Sequence, residues 1–168
     1  MADREPGHGR YARVEREHRW VLSERPPEAV RSAVIHDRYI DGTTLRLRRM
    51  ERDGVVVFKL GQKVRDTPDD PEVVRLTSMY LSASEYDVFV TLPAATIDKT
   101  RWVIAGQRFA IDEFHGALEG LVLAEVELHP DESTVAPPPL AVQDVTHDDR
   151  FSGGALARTP PRSVSSRS

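Results

Sequence analysis

Charged residues recur at alternate positions in several stretches of the chain, with apolar residues between them. Arg46 and Arg48 alternate with Leu45 and Leu47, and Lys59 and Lys63 with Phe58 and Leu60. Lys99 and Arg101 share a face away from Trp102, while Glu125 and Glu127 alternate with Val122, Ala124, Val126 and Leu128. Near the start, Glu15, Glu17 and Arg19 face away from Val14, His18 and Trp20. A period of two is that of a β-strand, so each set of charges lies on one face of its segment. Such a face can be the wet side of a half-buried sheet. A merely solvated face, however, has no reason to segregate bases on the middle segments and acids on the first and last. Like charges two residues apart also repel unless opposite charge sits between them. A polyanion together with a cation would satisfy both groups. Arginine offers a planar fork matched to phosphate oxygens and lysine a compact point charge, so several of each suit a multiply charged phosphate chain. Carboxylates facing them supply hard oxygen ligands for Mg²⁺ or Mn²⁺. Gly61-Gln62-Lys63 lacks the upstream glycine spacing of a phosphate-binding loop, so side chains must build this site.

Composition narrows the possibilities further. At 168 residues the chain has length for one core, and its net charge of −4 creates no global field that draws a protein onto nucleic acid or membranes. It contains no cysteine, which excludes thiolate metal sites and disulfides. Residues 1–11 are polar and basic without an apolar core, and no later stretch reads as a membrane span. A cytoplasmic protein with neither a membrane nor a nucleic-acid partner is expected.

The elements that must carry these faces follow from local pattern. Residues 12–22 alternate as a strand. Pro26 and Pro27 ahead of an Ala/Val-rich stretch predict a short helix from about Pro27 to Ile35. Thr43 to Met50 and Val55 to Lys63 form a hairpin around Asp53-Gly54, a pair suited to the positive φ of tight turns. Residues 64–73 read as an exposed loop and Val74 to Leu81 as extended. Ser82 and Glu85 match a capping box, predicting a helix through Leu92 that Pro93 closes. Extended runs follow at Ile97 to Ile104, Gln107 to Phe114 and Leu121 to Leu128. Beyond His129 a loop and one short helix are expected to dock on the body. Residues 1–11 are expected to be a flexible N-terminus, 12–157 one domain and 158–168 a disordered basic tail. Trp20, Trp102 and Phe109 read as core aromatics, Phe114 as a residue at the end of the charged face, and His18 and His36 as structural or solvent-facing.

Glu15-x-Glu17-x-Arg19 followed by Trp-Val-Leu resembles the E-x-E-x-K signature of the triphosphate tunnel metalloenzyme, or CYTH, superfamily. Further blocks, GTTLRLRRM, FKLGQK, RLTSMYLSASEYDVFVTLP, IDKTRW, IDEFHGALEGLVLAEVEL and VTHDDRFSGGALA, are similar to those of its bacterial single-domain members in the same order. The resemblance spans about Ala12 to Ala157. It implies an α+β fold: a closed eight-stranded antiparallel β-barrel, a tunnel with a charged interior and helices packed outside. It also implies that Arg19, Arg46, Arg48, Lys63, Lys99 and Arg101 hold a triphosphate, with Lys59 and Arg75 as further candidates. Glu15, Glu17, Glu125 and Glu127 would bind metal, Asp112 would be a further acidic member, and Glu15, Glu17 and Arg19 would form the catalytic set. The expected activity is Mg²⁺- or Mn²⁺-dependent hydrolysis of triphosphates, foremost inorganic tripolyphosphate, by a monomer or homodimer. A class IV-type adenylate cyclase and a non-catalytic polyphosphate or nucleotide binder are the alternatives. Two departures stand out: Arg19 replaces the signature's lysine, and Thr77 and Met79 occupy a strand where many relatives carry Glu.

Overall fold

The computed structural model describes residues 5–65 and 73–159. The expected loop at 64–73 therefore lies largely outside the described residues, as do residues 1–4 and most of the expected tail. Among the described residues nine strands run β1 (Arg13–Leu22), β2 (Val30–Ile40), β3 (Leu45–Arg52), β4 (Val55–Arg65), β5 (Val73–Leu81), β6 (Ala94–Val103), β7 (Ala110–Phe114), β8 (Val122–Glu127) and β9 (Ala141–Asp144). Helix α1 (Ala83–Phe89) follows β5, and α2 (Gly153–Arg158) follows a short 3-10 turn at Asp149–Phe151.

The strands are hydrogen-bonded in the order β5-β4-β3-β2-β6-β7-β8-β1, and β1 returns to β5, closing an eight-stranded antiparallel barrel. At this seam β1 changes partner along its length. Arg13 to Arg16 pair with β5, whereas Trp20 to Leu22 pair with β9. The β3–β4 hairpin turns through Asp53 and Gly54, both at positive φ (50° and 77°), as the tight two-residue connection requires. Helix α1 begins with the capping box: the Ser82 side chain accepts from the Glu85 N–H, and the Glu85 carboxylate accepts from the Ser82 N–H at 2.7 Å.

The helix expected at 27–35 is instead the first half of β2. Pro26 and Pro27 make only the turn before it, where the Ala29 N–H reaches the Pro26 carbonyl. From Val30 the β-branched residues and the register against both β3 and β6 hold the chain extended. Ala33, Ile35 and Asp37 are buried, while Val30, Arg31 and Val34 are exposed. Strand β9, in the segment expected to be loop, is the other addition.

Apolar contacts fall into three clusters. Outside the barrel, Trp20, Leu22, Ile111, Val122, Ala124 and Val126 from β1, β7 and β8 pack with Ala29, Phe109, Val135 and Ala141 from connecting segments and β9. Leu47 and Leu60 lie beneath Tyr86 of α1, whose ring stands 4.4 Å from that of Phe58. The third cluster is inside: Val21, Ile97, Phe114 and Leu123 point inward and meet Val145, Phe151 and Leu156 from the C-terminal segment. One end of the barrel interior is thus apolar and packed.

Candidate active site

The rest of the interior is a cavity of about 520 Å³ whose wall, among the described residues, carries nine cationic side chains and three carboxylates. The period-two pleat explains the selection, because inward residues of each strand are those at alternate positions. Strand β1 supplies Glu15, Glu17 and Arg19, β3 Arg46 and Arg48, β4 Lys59, Lys63 and Arg65, β6 Lys99 and Arg101, and β8 Glu125; Arg158 of α2 completes the set. Gly61 faces inward opposite Arg46, where a Cβ would make an ordinary van der Waals contact, 3.5 Å from Arg46 Nη2.

Two buried aspartates share the inner face with these bases, each directly opposite one of them in register. Asp37 on β2 is fully buried opposite Arg48 of β3. It accepts from Arg48 Nε at 2.6 Å and Nη2 at 2.7 Å, and Arg46 Nε lies 4.0 Å away. Asp112 on β7, 1% exposed, accepts from Lys99 Nζ at 2.6 Å and from Arg101 Nε and Nη2 at 2.7 Å each. Burial alone would raise both carboxyls; the charges and hydrogen bonds of Arg48 on Asp37, and of Lys99 and Arg101 on Asp112, outweigh it and hold them below the usual range.

The carboxylates of the wall differ among themselves. Glu125 accepts from Arg19 Nε at 2.8 Å and lies 3.7 Å from Arg101 Nη2. Burial works against its ionised form, but Arg19, Lys99 and Arg101 hold it well below the ordinary range. Glu17 is shared between Arg19 and Lys63 at 3.4–3.5 Å. Glu15 has Lys63 at 3.8 Å. Burial raises its carboxyl, and the neighbouring charges of Glu17 and Glu127 raise it further against the opposing pull of Lys63. Negative charge is therefore undercompensated at this corner, which a hard cation would relieve. Among the described residues no three carboxylate or imidazole groups stand close enough to hold an ion unaided.

Of the sequence-derived candidates, Glu15, Glu17, Arg19, Arg46, Arg48, Lys59, Lys63, Lys99, Arg101 and Glu125 all line the one cavity. Three do not. Glu127 stands opposite Glu17 in register but is exposed beyond the wall. Asp112 is on the inner face but buried, its carboxylate engaged by Lys99 and Arg101. Arg75 faces outward: Val74, Leu76 and Ser78 are the inward residues of β5, and Arg75 pairs with Val14 and Val64. By the same parity Thr77 and Met79 also point away, so their departure from Glu changes the outer face and not the cavity.

Asp37, Tyr39, Arg65 and Arg158 were absent from the sequence-derived set. Tyr39 lines the cavity beside Gly153 and Gly154, and burial, then the charge of Asp37, pushes its phenol up to about 12. The alternation Ala33, Ile35, Asp37, Tyr39 was the signal for β2, hidden by reading the segment as helix and connection. Arg65 pairs with Asp149 across the apolar end, and Arg158 donates to the Tyr39 carbonyl at 3.4 Å. Phe114 lines the inner end of the cavity, as expected of it. His18 is buried beside Trp20, and His36 meets Asp98 at 2.6 Å on the outer face.

No protein-family model matches the chain. Over 96 residues, 48% of this chain, it is 36% identical to an inorganic triphosphatase of Nitrosomonas europaea, of whose length it spans 64%. Over 126 residues, 65% of this chain and 80% of the relative, it is 31% identical to an inorganic triphosphatase of Acetivibrio thermocellus. A solved structure of an inorganic triphosphatase shares the fold at a TM-score of 0.55 and 21% identity, covering 85% of this chain and 93% of that one. With a closed barrel whose charged faces turn inward and a relative matched over most of its length, the chain belongs to the triphosphate tunnel metalloenzyme, or CYTH, family.

Proposed function

We propose that this protein hydrolyses inorganic tripolyphosphate with the help of Mg²⁺ or Mn²⁺. The observation that carries the reading is the one cavity in which Arg46, Arg48, Lys59, Lys63, Lys99 and Arg101 converge from three strands while Glu15 and Glu17 face them from β1. The triphosphatase relatives agree with it.

The bases hold the phosphate chain and fix its terminal group for in-line attack, so much of the acceleration comes from positioning and from charge already in place. Glu15 and Glu17, together with phosphate oxygens and water, would hold the cation. When bound, such an ion neutralises phosphate charge and polarises the phosphoryl group under attack. Glu125 is committed to Arg19 and Arg101 and keeps the guanidinium of Arg19 in the wall. Arg19 cannot act as a base: burial disfavours its charge, but Glu125 and Glu17 more than restore it, leaving the group more firmly protonated than usual. The apolar packing around Phe114, Leu123 and Leu156 closes one end to bulk water.

The test is a phosphate-release screen over tripolyphosphate, pyrophosphate, long-chain polyphosphate and ATP with Mg²⁺, Mn²⁺ or chelator. Release from tripolyphosphate, abolished by chelator and restored by either cation, is expected. Cyclic AMP formed from ATP would reassign the chemistry. Tight tripolyphosphate binding without release under either cation would make the protein a binder.

A further inference from the structure

Asp37 has no access to the cavity, yet it grips a residue that does. It is completely buried, and both its oxygens are taken by the Nε and Nη2 of Arg48 at 2.6 and 2.7 Å. Two of the five donors of that fork are thereby consumed, and the remaining N–H groups are free for the cavity that Arg48 lines. Arg46, two residues away on the same face, has its Nε 4.0 Å from the same carboxylate, buried and without a hydrogen-bond partner. Stability alone does not call for such an arrangement. Burying an ion pair costs desolvation, and well-packed apolar residues of similar volume commonly serve as well or better.

We propose that Asp37 is a positioning residue for phosphate binding: from the neighbouring strand it locks Arg48 in one orientation, so that the guanidinium meets the phosphate chain preorganised. This rests on the tripolyphosphate reading above. The bidentate pair removes the rotamer freedom that a long, flexible arginine would otherwise lose on binding. Asp112 clamps Lys99 and Arg101 in the same manner, so the two aspartates hold arms on β3 and β6, the strands that flank β2.

The test uses Asp37→Asn, nearly isosteric, with Arg48→Gln and the double variant. Steady-state hydrolysis of tripolyphosphate is measured with Mg²⁺, metal-free tripolyphosphate binding by calorimetry, and folding by thermal melts. Loss of uniform binding raises KM and leaves kcat close to wild type. Asp37→Asn is expected to raise KM about tenfold and weaken calorimetric binding in proportion, with the half-saturating Mg²⁺ concentration unchanged. Because Asp37 acts through Arg48, the double variant is expected to match Arg48→Gln in kcat/KM. Should Asp37→Asn fail to fold, the double variant, which removes both members of the bidentate pair, still carries that comparison. A folded Asp37→Asn protein with wild-type KM and binding, or losses that multiply in the double variant, would overturn the assignment. If wild-type protein neither binds nor hydrolyses tripolyphosphate, the functional reading fails and takes this inference with it.

Discussion

Glu15 is the residue at which the resting site is least comfortable. Burial raises its carboxyl and the charges of Glu17 and Glu127 add to the shift, with Lys63 only partly opposing them. A carboxyl whose folded value lies above its unfolded one makes the fold most stable when protonated; stability falls as pH rises through the folded value. At neutral pH without divalent metal, Glu15 is therefore a destabilising charge. Glu15→Gln should melt at the same temperature as wild type or higher in chelator, measured by thermal denaturation. In Mg²⁺ the order should reverse, because wild type gains from binding a cation in the folded state alone and the variant gains less. A variant less stable than wild type in chelator would show that Glu15 is satisfied without a cation. Asp37 and Glu125 carry the opposite sign. Both are held low by arginines, so their stabilising contribution is complete above the unfolded carboxylate value and is lost as pH falls below it. Acid unfolding should therefore begin only below about pH 4, and Asp37→Asn should flatten its onset.

At the scale of elements, α2 is seated by a glycine that local propensity would not have chosen. Alanine in a helix is favoured over glycine by roughly 0.5–1 kcal/mol, but a Cβ at Gly153 would lie 1.8 Å from the Tyr39 Oη and 2.7 Å from its Cζ. The contact outweighs the propensity. Gly153→Ala is expected to destabilise by about 1–3 kcal/mol and to cost much less in a Tyr39→Ala background, as melts of the single and double variants would reveal. Equal losses in both backgrounds would mean that Tyr39 does not set the limit. Such contacts cannot be seen in sequence, whereas the faces of β1, β3, β4, β6 and β8 could, since each presents a pair of charges at the strand period. Strand β2 was hidden because Pro26-Pro27 followed by Ala29 and Ala33 mimics a helix start, while the register that extends it comes from β3 and β6. Losing β2 meant losing Asp37 and Tyr39. Strand β5 was found but not its facing: Val73, Arg75, Thr77 and Met79 form as plausible an inner face as Val74, Leu76 and Ser78, and a slip of one residue exchanges them. Strand β9 is four residues long and follows from the place where β5 leaves β1.

The molecule as a whole separates its charge. The chain carries a net charge of −4, yet among the described residues nine bases and three acids line the cavity, with the buried Asp37 and Asp112 beside them as further compensation. The resting barrel thus confines an excess of positive charge in a partly desolvated space, where screening by salt is weak. Any anion that enters relieves that repulsion in the folded state only, since the unfolded chain cannot assemble bases drawn from β1, β3, β4, β6 and α2. Binding then appears as stability: a ligand at a hundred times its dissociation constant adds about 2.7 kcal/mol. For a domain of this size that is a rise in melting temperature of roughly 5–11 °C. Without divalent metal the rise should grow from phosphate to pyrophosphate to tripolyphosphate, because each added phosphoryl group reaches further bases along the tunnel. Arg48→Gln or Arg101→Gln should shrink the tripolyphosphate shift, and Arg75→Gln, which alters only the outer face, should leave it unchanged. If all three anions raised the melting temperature equally, or if Arg75→Gln lowered the shift as much as Arg48→Gln, stabilisation would arise from nonspecific screening of the surface and not from one anion held inside the barrel.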